Sequence, residues 1–309
     1  MQKRELSFLA YLFQMDKKLL HGAHTALITP MKDGAVSYAD LESLVNAQLS
    51  SGISGLVPCG TTGESPTLSG EEHLQVIKAT VEIVDKKIPV IAGTGANSTQ
   101  EALELTKKAD QAGADAILLV APYYNKPSQE GLFAHFSALA ECTEKPIVLY
   151  SIPSRCGIEI STLTVARLYE KHSNICALKE AGGRSSKVSE TACAVDENFV
   201  ILSGDDGLTL PFMACGAKGV ISVASNIIPS TVAELVNLAL QENYFKAREL
   251  HLEYFQFFSD IFIEPNPVPI KTLLNCKGII ESAEVRLPLT PPSSNNLLLL
   301  QKMAQNLNI

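Results

Sequence analysis

The sequence predicts an α/β fold, a (β/α)8 TIM barrel followed by a C-terminal all-helical appendix. Short apolar runs recur at intervals of roughly 25–35 residues, and helical patterns fill the gaps between them. The alternation repeats eight times within about 220 residues, the count that closes a barrel. No G-x-G-x-x-G opens the first helix, which sets aside the runner-up, an open doubly wound sheet.

The expected strands are Gly22–Leu27, Gly55–Pro58, Pro89–Ala92, Ala116–Val120, Ile147–Tyr150, Ile175–Leu178, Val200–Leu202 and Gly219–Val223. Between and after them come helical patterns at Tyr38–Ser51, Glu71–Asp85, Thr99–Ala112, Gln129–Cys142, Ser161–His172, Ser185–Val195, Gly207–Cys215 and Ser230–Glu242. Leu41, Leu44, Val45 and Leu49 show the three- and four-residue spacing of a buried helix face. Ser37 with Asp40, Ser69 before Glu71-Glu72, and Ser98-Thr99 before Glu101 are helix-start signals. From Asn243 the alternation stops. Phe245–Phe262 reads as helix, Glu264-Pro265-Asn266-Pro267-Val268-Pro269 breaks the chain, and Ile270–Cys276 and Leu297–Leu307 read as helix again. The expected organisation is an N-terminal extension over 1–18, a catalytic barrel over 19–242 and a helical domain over 243–309.

The extension carries an apolar run, Leu6 to Phe13, behind Lys3 and Arg4. The run is short, lacks a small-residue cleavage site and is followed by Asp16-Lys17-Lys18, unlike a signal peptide. It reads as a floppy or helical extension, and Met15 could serve as the initiator. No segment is apolar for long enough to span a bilayer. A net charge of -8 and a pI near 5.3 argue against a nucleic-acid partner. The seven cysteines include no C-x-x-C pair and fit reduced thiols in a cytoplasmic protein. No histidine pattern suggests a metal, and Asp205-Asp206 reads as loop capping.

In such a barrel, chemistry sits at the C-terminal ends of the strands. That rule gathers Gly60-Thr61-Thr62-Gly63-Glu64-Ser65, Tyr123-Tyr124, Tyr150, Arg155, Lys179 and Ser203-Gly204-Asp205-Asp206 at one mouth. Lys179 ends the apolar run Asn174-Ile175-Cys176-Ala177-Leu178. Burial disfavours an ammonium, and a neutral amine can attack a carbonyl to form a Schiff base. Read alone, the same lysine could reach water or pair with Glu180. The Gly60–Ser65 turn offers hydroxyls and inward amides to an oxyanion, or is a plain βα turn. Tyr150 could pass protons through Thr61, or cap the barrel core. Arg155 could clamp a carboxylate, or form a surface salt bridge.

These stretches, with Leu178-Lys179-Glu180-Ala181, Tyr150-Ser151-Ile152-Pro153-Ser154-Arg155 and Gly219-Val220-Ile221-Ser222, resemble the dihydrodipicolinate synthase family of pyruvate-dependent class I aldolases. The resemblance runs from about Leu19 to about Leu289. It implies that Lys179 condenses with pyruvate and that the enamine attacks aspartate semialdehyde. Tyr150, Thr61 and Tyr124 would be the proton relay, with Tyr124 supplied by a neighbouring subunit of a homotetramer. Thr62 would hold the pyruvate carboxylate, Arg155 the carboxylate of the aldehyde, and backbone at Gly204 and Ile221 would complete the pocket. No cofactor is implied, because the protonated imine is the electron sink. Arg155 favours this branch over the N-acetylneuraminate lyase branch, where a serine would be expected at Thr61. Ser65, His73, Asn97, Glu101 and Tyr123 match the pattern of members inhibited by L-lysine, while Pro66 and Gly70 depart from it. Cys156 stands where threonine is common in the family.

Overall fold

The structure, a computed structural model, describes residues 19–307. The extension expected over 1–18 lies outside the described residues, as do the two final residues of the chain. Eight parallel strands alternate with helices. They are β1 (Gly22–Ala26), β2 (Gly55–Val57), β3 (Ile91–Gly93), β4 (Ala116–Val120), β5 (Ile147–Ser151), β6 (Ile175–Glu180), β7 (Val200–Ser203) and β8 (Gly219–Ser222). Their spatial order is β2-β1-β8-β7-β6-β5-β4-β3. The two open edges meet through a parallel bridge between Leu56 and Val90, and the Leu56 amide donates to the Pro89 carbonyl at 3.0 Å. The eight-stranded sheet therefore closes on itself, with neither of its two end strands left as an open edge.

The surrounding helices are α1 (Tyr38–Leu49), α2 (Gly70–Val84), α3 (Thr99–Gln111), α4 (Gln129–Ala140), α5 (Thr162–Lys171), α6 (Ser185–Ala194), α7 (Thr209–Ala214) and α8 (Pro229–Leu240). Ser37, Ser69 and Ser98 cap α1, α2 and α3, and Ser69 with Glu72 makes a reciprocal capping box. Each cap satisfies a backbone donor that the first helical turn leaves unpaired. Two apolar layers result. Val57, Leu118, Val148, Tyr150, Leu202 and Ile221 pack inside the barrel. Leu41, Leu44, Val76, Ile117, Leu149 and Leu178 pack between strands and helices.

Two boundaries differ from the sequence reading in ways that matter for the site. β3 starts at Ile91, not Pro89, because a proline has no N–H to give a ladder and Pro89 serves only as an acceptor. β6 continues two residues past Leu178. Lys179 pairs with Tyr150 and Leu202, and Glu180 with Ser151 and Ser203. A register shift places Ile175 opposite Ile147 but Ala177 opposite Val148, so β6 carries one extra residue at Cys176. Such a bulge re-aims the side chains beyond it. A small hairpin, Met31–Lys32 with Ala35–Val36, turns at Asp33-Gly34, both with positive φ. It was not expected, although Asp-Gly is a hairpin turn signal.

After the barrel come α9 (Tyr244–Asp260), α10 (Val268–Cys276) and α11 (Ser294–Asn306). From Val268 to Leu274, α10 is buried on all sides, polar residues Lys271 and Thr272 included. A helix buried all round packs as core.

Candidate active site

Lys179 stands on β6 between Tyr150 of β5 and Leu202 of β7. It is buried, and its Nζ lies 4.1 Å from the centre of the Tyr150 ring. Among the described residues no carboxylate hydrogen-bonds this amine. Desolvation pulls its pKa down to about 7; the negative charge of Asp206 opposes that fall and the Arg155 guanidinium adds to it. Near neutral pH a large share of the amine is therefore unprotonated and able to attack a carbonyl. Gly204, at the end of β7, makes room for it. A Cβ built there would sit 3.0 Å from Lys179 Cε and 2.7 Å from the Ala181 methyl. A side chain there would crowd both Ala181 and the lysine.

A cavity of about 230 Å³ opens beside Tyr150. Drug-sized ligands occupy pockets of about 300–1,000 Å³, so this one suits a small metabolite. Thr61, Ser65, Tyr123, Tyr150, Arg155 and Cys156 are among its lining residues. Lys179 and Thr62 are not; both are buried, Lys179 against the Tyr150 ring and Thr62 within the turn. Burial pushes the Tyr150 phenol up to about 12, while a hydrogen bond with Thr61 and the charge of Arg155 work against that rise. The phenol keeps its proton at neutral pH and has a hydroxyl neighbour through which to exchange it. Arg155 is exposed, in a short helical turn, Pro153–Cys156. The Cys156 thiol donates to the Ala121 carbonyl at 3.2 Å, a contact that ties this turn to the end of β4.

The Gly60–Ser65 turn is held from below by the helical appendix. Asn266 Nδ2 donates to Thr62 Oγ1 at 3.0 Å. Lys271 Nζ donates to Glu64 Oε1 at 2.7 Å, with both side chains buried, and the Arg286 amide donates to Glu64 Oε2 at 3.1 Å. Arg286 also forks onto Glu72 and donates to the Thr67 carbonyl. That fork holds the Glu72 carboxyl down at about 2.

Lys179, Tyr150, Thr61, Gly204, Ile221 and Arg155 are thus gathered at the C-terminal mouth, with Ile221 buried inside the barrel beside Tyr150. Tyr124 is not brought in by its own chain: it is 89% exposed, with φ of 74°. Of the residues matched to lysine inhibition, Tyr123 is hydrogen-bonded to the Asn97 backbone and lies near the Glu101 charge. Ser65 shares the cavity wall with Tyr123, and His73 is turned inward, its Nε2 2.7 Å from the Gly93 carbonyl oxygen. Asp205 caps the turn after β7 through the Leu208 amide, as expected. Asp206 does more. It is buried, accepts from the Ser222 hydroxyl and the Val223 and Ala224 amides, and is the largest charge acting on Lys179. Desolvation raises its own carboxyl to about 6. The sequence places Asp206 at the mouth but reads it as loop capping, not as a charge beside Lys179, and Asn266 does not stand out there as part of a site.

The family model for the dihydrodipicolinate synthetase family matches residues 19–307. The chain belongs to this family. It is 51% identical over 278 residues to the 4-hydroxy-tetrahydrodipicolinate synthase of Sulfurihydrogenibium sp. (strain YO3AOP1), covering 90% of this chain and 95% of that one. The solved synthase of the methanotroph Methylacidiphilum fumariolicum SolV superposes with a TM-score of 0.91 at 52% identity, covering 93% of this chain and 95% of the other. The pyruvate complex of the chloride-inhibited enzyme from Acinetobacter baumannii superposes with a TM-score of 0.89 at 42% identity, over 93% of this chain and all of that one. Membership makes the barrel and its mouth those of a family of lyases.

Proposed function

We propose that the chain condenses pyruvate with L-aspartate 4-semialdehyde to form 4-hydroxy-tetrahydrodipicolinate, a step of diaminopimelate and lysine biosynthesis. The observation that carries this reading is the Lys179 amine, buried, unpaired with any carboxylate among the described residues and lowered to about 7. Its nitrogen adds to the keto carbon of pyruvate, and loss of water gives the imine. The imine nitrogen draws electrons from the methyl carbon, which loses a proton to become an enamine. That carbon attacks the aldehyde, and the substrate's own amine then displaces Lys179 as the ring closes. Tyr150 gives and takes the protons of the addition and dehydration, passing them through Thr61 to Tyr124. Thr62 receives the pyruvate carboxylate and Arg155 that of the aldehyde, with Gly204 and Ile221 shaping the space around the imine.

The relay needs a neighbour. Tyr124 is exposed and does not line its own chain's cavity, which supports a subunit interface at which it enters the partner's site. Phe245, Leu252 and Phe255 leave an exposed apolar stripe on α9, which supports a second interface and hence a homotetramer. The Tyr123, Asn97 and Glu101 cluster supports L-lysine as a feedback inhibitor. Residues 19–242 form the catalytic unit and 243–309 the helical one. The seven free thiols support a cytoplasmic setting, and among the described residues no helix is long and apolar enough to cross a membrane.

Intact mass after treatment with pyruvate and borohydride tests the chemistry. One reduced pyruvate adduct is expected on the wild type and none on Lys179→Ala. Coupled assays with aspartate semialdehyde and with alternative aldehydes test the second substrate. A trapped adduct without turnover of aspartate semialdehyde would reject the assignment of the aldehyde while keeping the imine.

A further inference from the structure

We propose that Asn266 is a positioning residue whose amide, carried in from the helical appendix, fixes the Thr62 hydroxyl as a hydrogen-bond donor to the keto acid's carboxylate. This rests on the reading that Thr62 receives that carboxylate. A hydroxyl has one proton and two acceptor lone pairs. Asn266 Nδ2 occupies one lone pair of Thr62 Oγ1 at 3.0 Å, and both side chains are buried. Among the described residues the Thr62 proton has no protein acceptor. A carboxylate only accepts, so a hydroxyl whose lone pair is already engaged and whose proton is unspent is the matching partner.

The amide is held rigidly enough to do this. Glu264, two residues earlier, accepts from the Ser293 amide at 3.1 Å and from Asn296 Nδ2 at 2.8 Å. Lys271, five residues later, is bound to Glu64 two positions along the same turn. The Arg286 amide and guanidinium fix Glu64 and the Thr67 carbonyl. The appendix thus grips the turn at Thr62 and at Glu64 and Thr67 just after it, and Asn266 is the part of that grip which reaches the Thr62 hydroxyl. Its own Oδ1 is buried without a partner, so the bond to Thr62 is the one hydrogen bond this side chain makes among the described residues.

The test is steady-state kinetics on the full chain for Asn266→Asp, Asn266→Ala, Thr62→Val and the Thr62→Val/Asn266→Ala double variant. An aspartate would accept the Thr62 proton and turn a lone pair toward the keto acid. Asn266→Asp is expected to raise KM for pyruvate about tenfold or more, with KM for the aldehyde and the melting temperature little changed. Asn266→Ala should raise it less, and should add nothing on top of Thr62→Val, because it acts through that hydroxyl. Should Asn266→Asp fail to fold, the Asn266→Ala and Thr62→Val cycle carries the same test. Pyruvate KM within twofold of wild type in both Asn266 variants would overturn the proposal. So would additive effects in the Thr62→Val background, or a loss confined to kcat and melting temperature. If wild type itself yields no borohydride-trapped pyruvate adduct, the imine reading falls and takes this inference with it; a normal adduct with insensitive KM removes this inference alone.

Discussion

Lys179 and Lys271 are both lysines buried beside the barrel mouth, and they are put to opposite uses. Lys271 donates to Glu64 at 2.7 Å; Lys179 faces the ring of Tyr150. Burial pushes both amines down, but at Lys271 the bonded carboxylate pulls back. Lys187, a third buried lysine, donates to the Ile160 carbonyl and lies 3.8 Å from Glu159. Burial alone therefore does not make a nucleophile. What separates Lys179 is burial without a bonded anion, with Asp206 acting only as a charge in the surroundings.

The contrast breaks most sharply by substitution. Lys179→Met should lower turnover by about 10⁴-fold or more, while the melting temperature holds or rises, because a desolvated amine is replaced by an apolar chain. Lys271→Met should show the reverse, a loss of about 3–5 kcal/mol of stability as the buried Glu64 carboxylate loses its counter-ion and keeps only the Arg286 amide. Adding Glu64→Gln should restore much of it. Urea melts beside turnover assays check both, and a large stability loss at Lys179 with little at Lys271 would invert the comparison. A smaller effect is expected at Gly204. Its Cβ would crowd the Ala181 methyl and Lys179 Cε, and since a displacement of a full 1 Å costs about 100-fold in rate, a smaller loss is expected from a shift of part of that. Single-turnover adduct formation in Gly204→Ala measures it, and wild-type rates would mean that the lysine needs no such clearance.

A further effect lies in the pH dependence of stability. The folded Lys179 amine titrates near 7, below its ordinary 10.5, so between these values the unfolded chain binds the extra proton. Wild type should therefore gain stability relative to Lys179→Met as pH rises from 7 to 10, and the two should run parallel below 7. Denaturant midpoints at pH 6, 8 and 9.5 follow this; parallel curves throughout would place the amine in solvent.

The barrel was legible because its signals are local. Strand runs, helix spacing and the serines at positions 37, 69 and 98 each act within a few residues. The end of β6 was not, since Lys179 and Glu180 enter the ladder only through Tyr150, Ser151, Leu202 and Ser203 on neighbouring strands. Glu180 illustrates the same limit. Its carboxyl is buried on the strand next to Lys179 and desolvation raises it to about 7, with the Gly182 amide donating to Oε1 at 2.6 Å. The pairing with Lys179 that its sequence position invites is absent among the described contacts. Asn266 and Thr62 are 204 residues apart, beyond any periodic pattern. Tyr124 was placed in the site only by resemblance, and one chain alone leaves it in solvent.

The central claim is that one buried amine is neutral enough near pH 7 to attack a keto acid. It is tested most directly by the rate of borohydride-trapped adduct formation at saturating pyruvate, followed from pH 5 to 10. The amine described here predicts a rise that reaches half its plateau near pH 7 and is flat by about pH 8.5. A rate still climbing tenfold per pH unit at pH 9 would contradict it, because that is the behaviour of an ordinary solvated lysine.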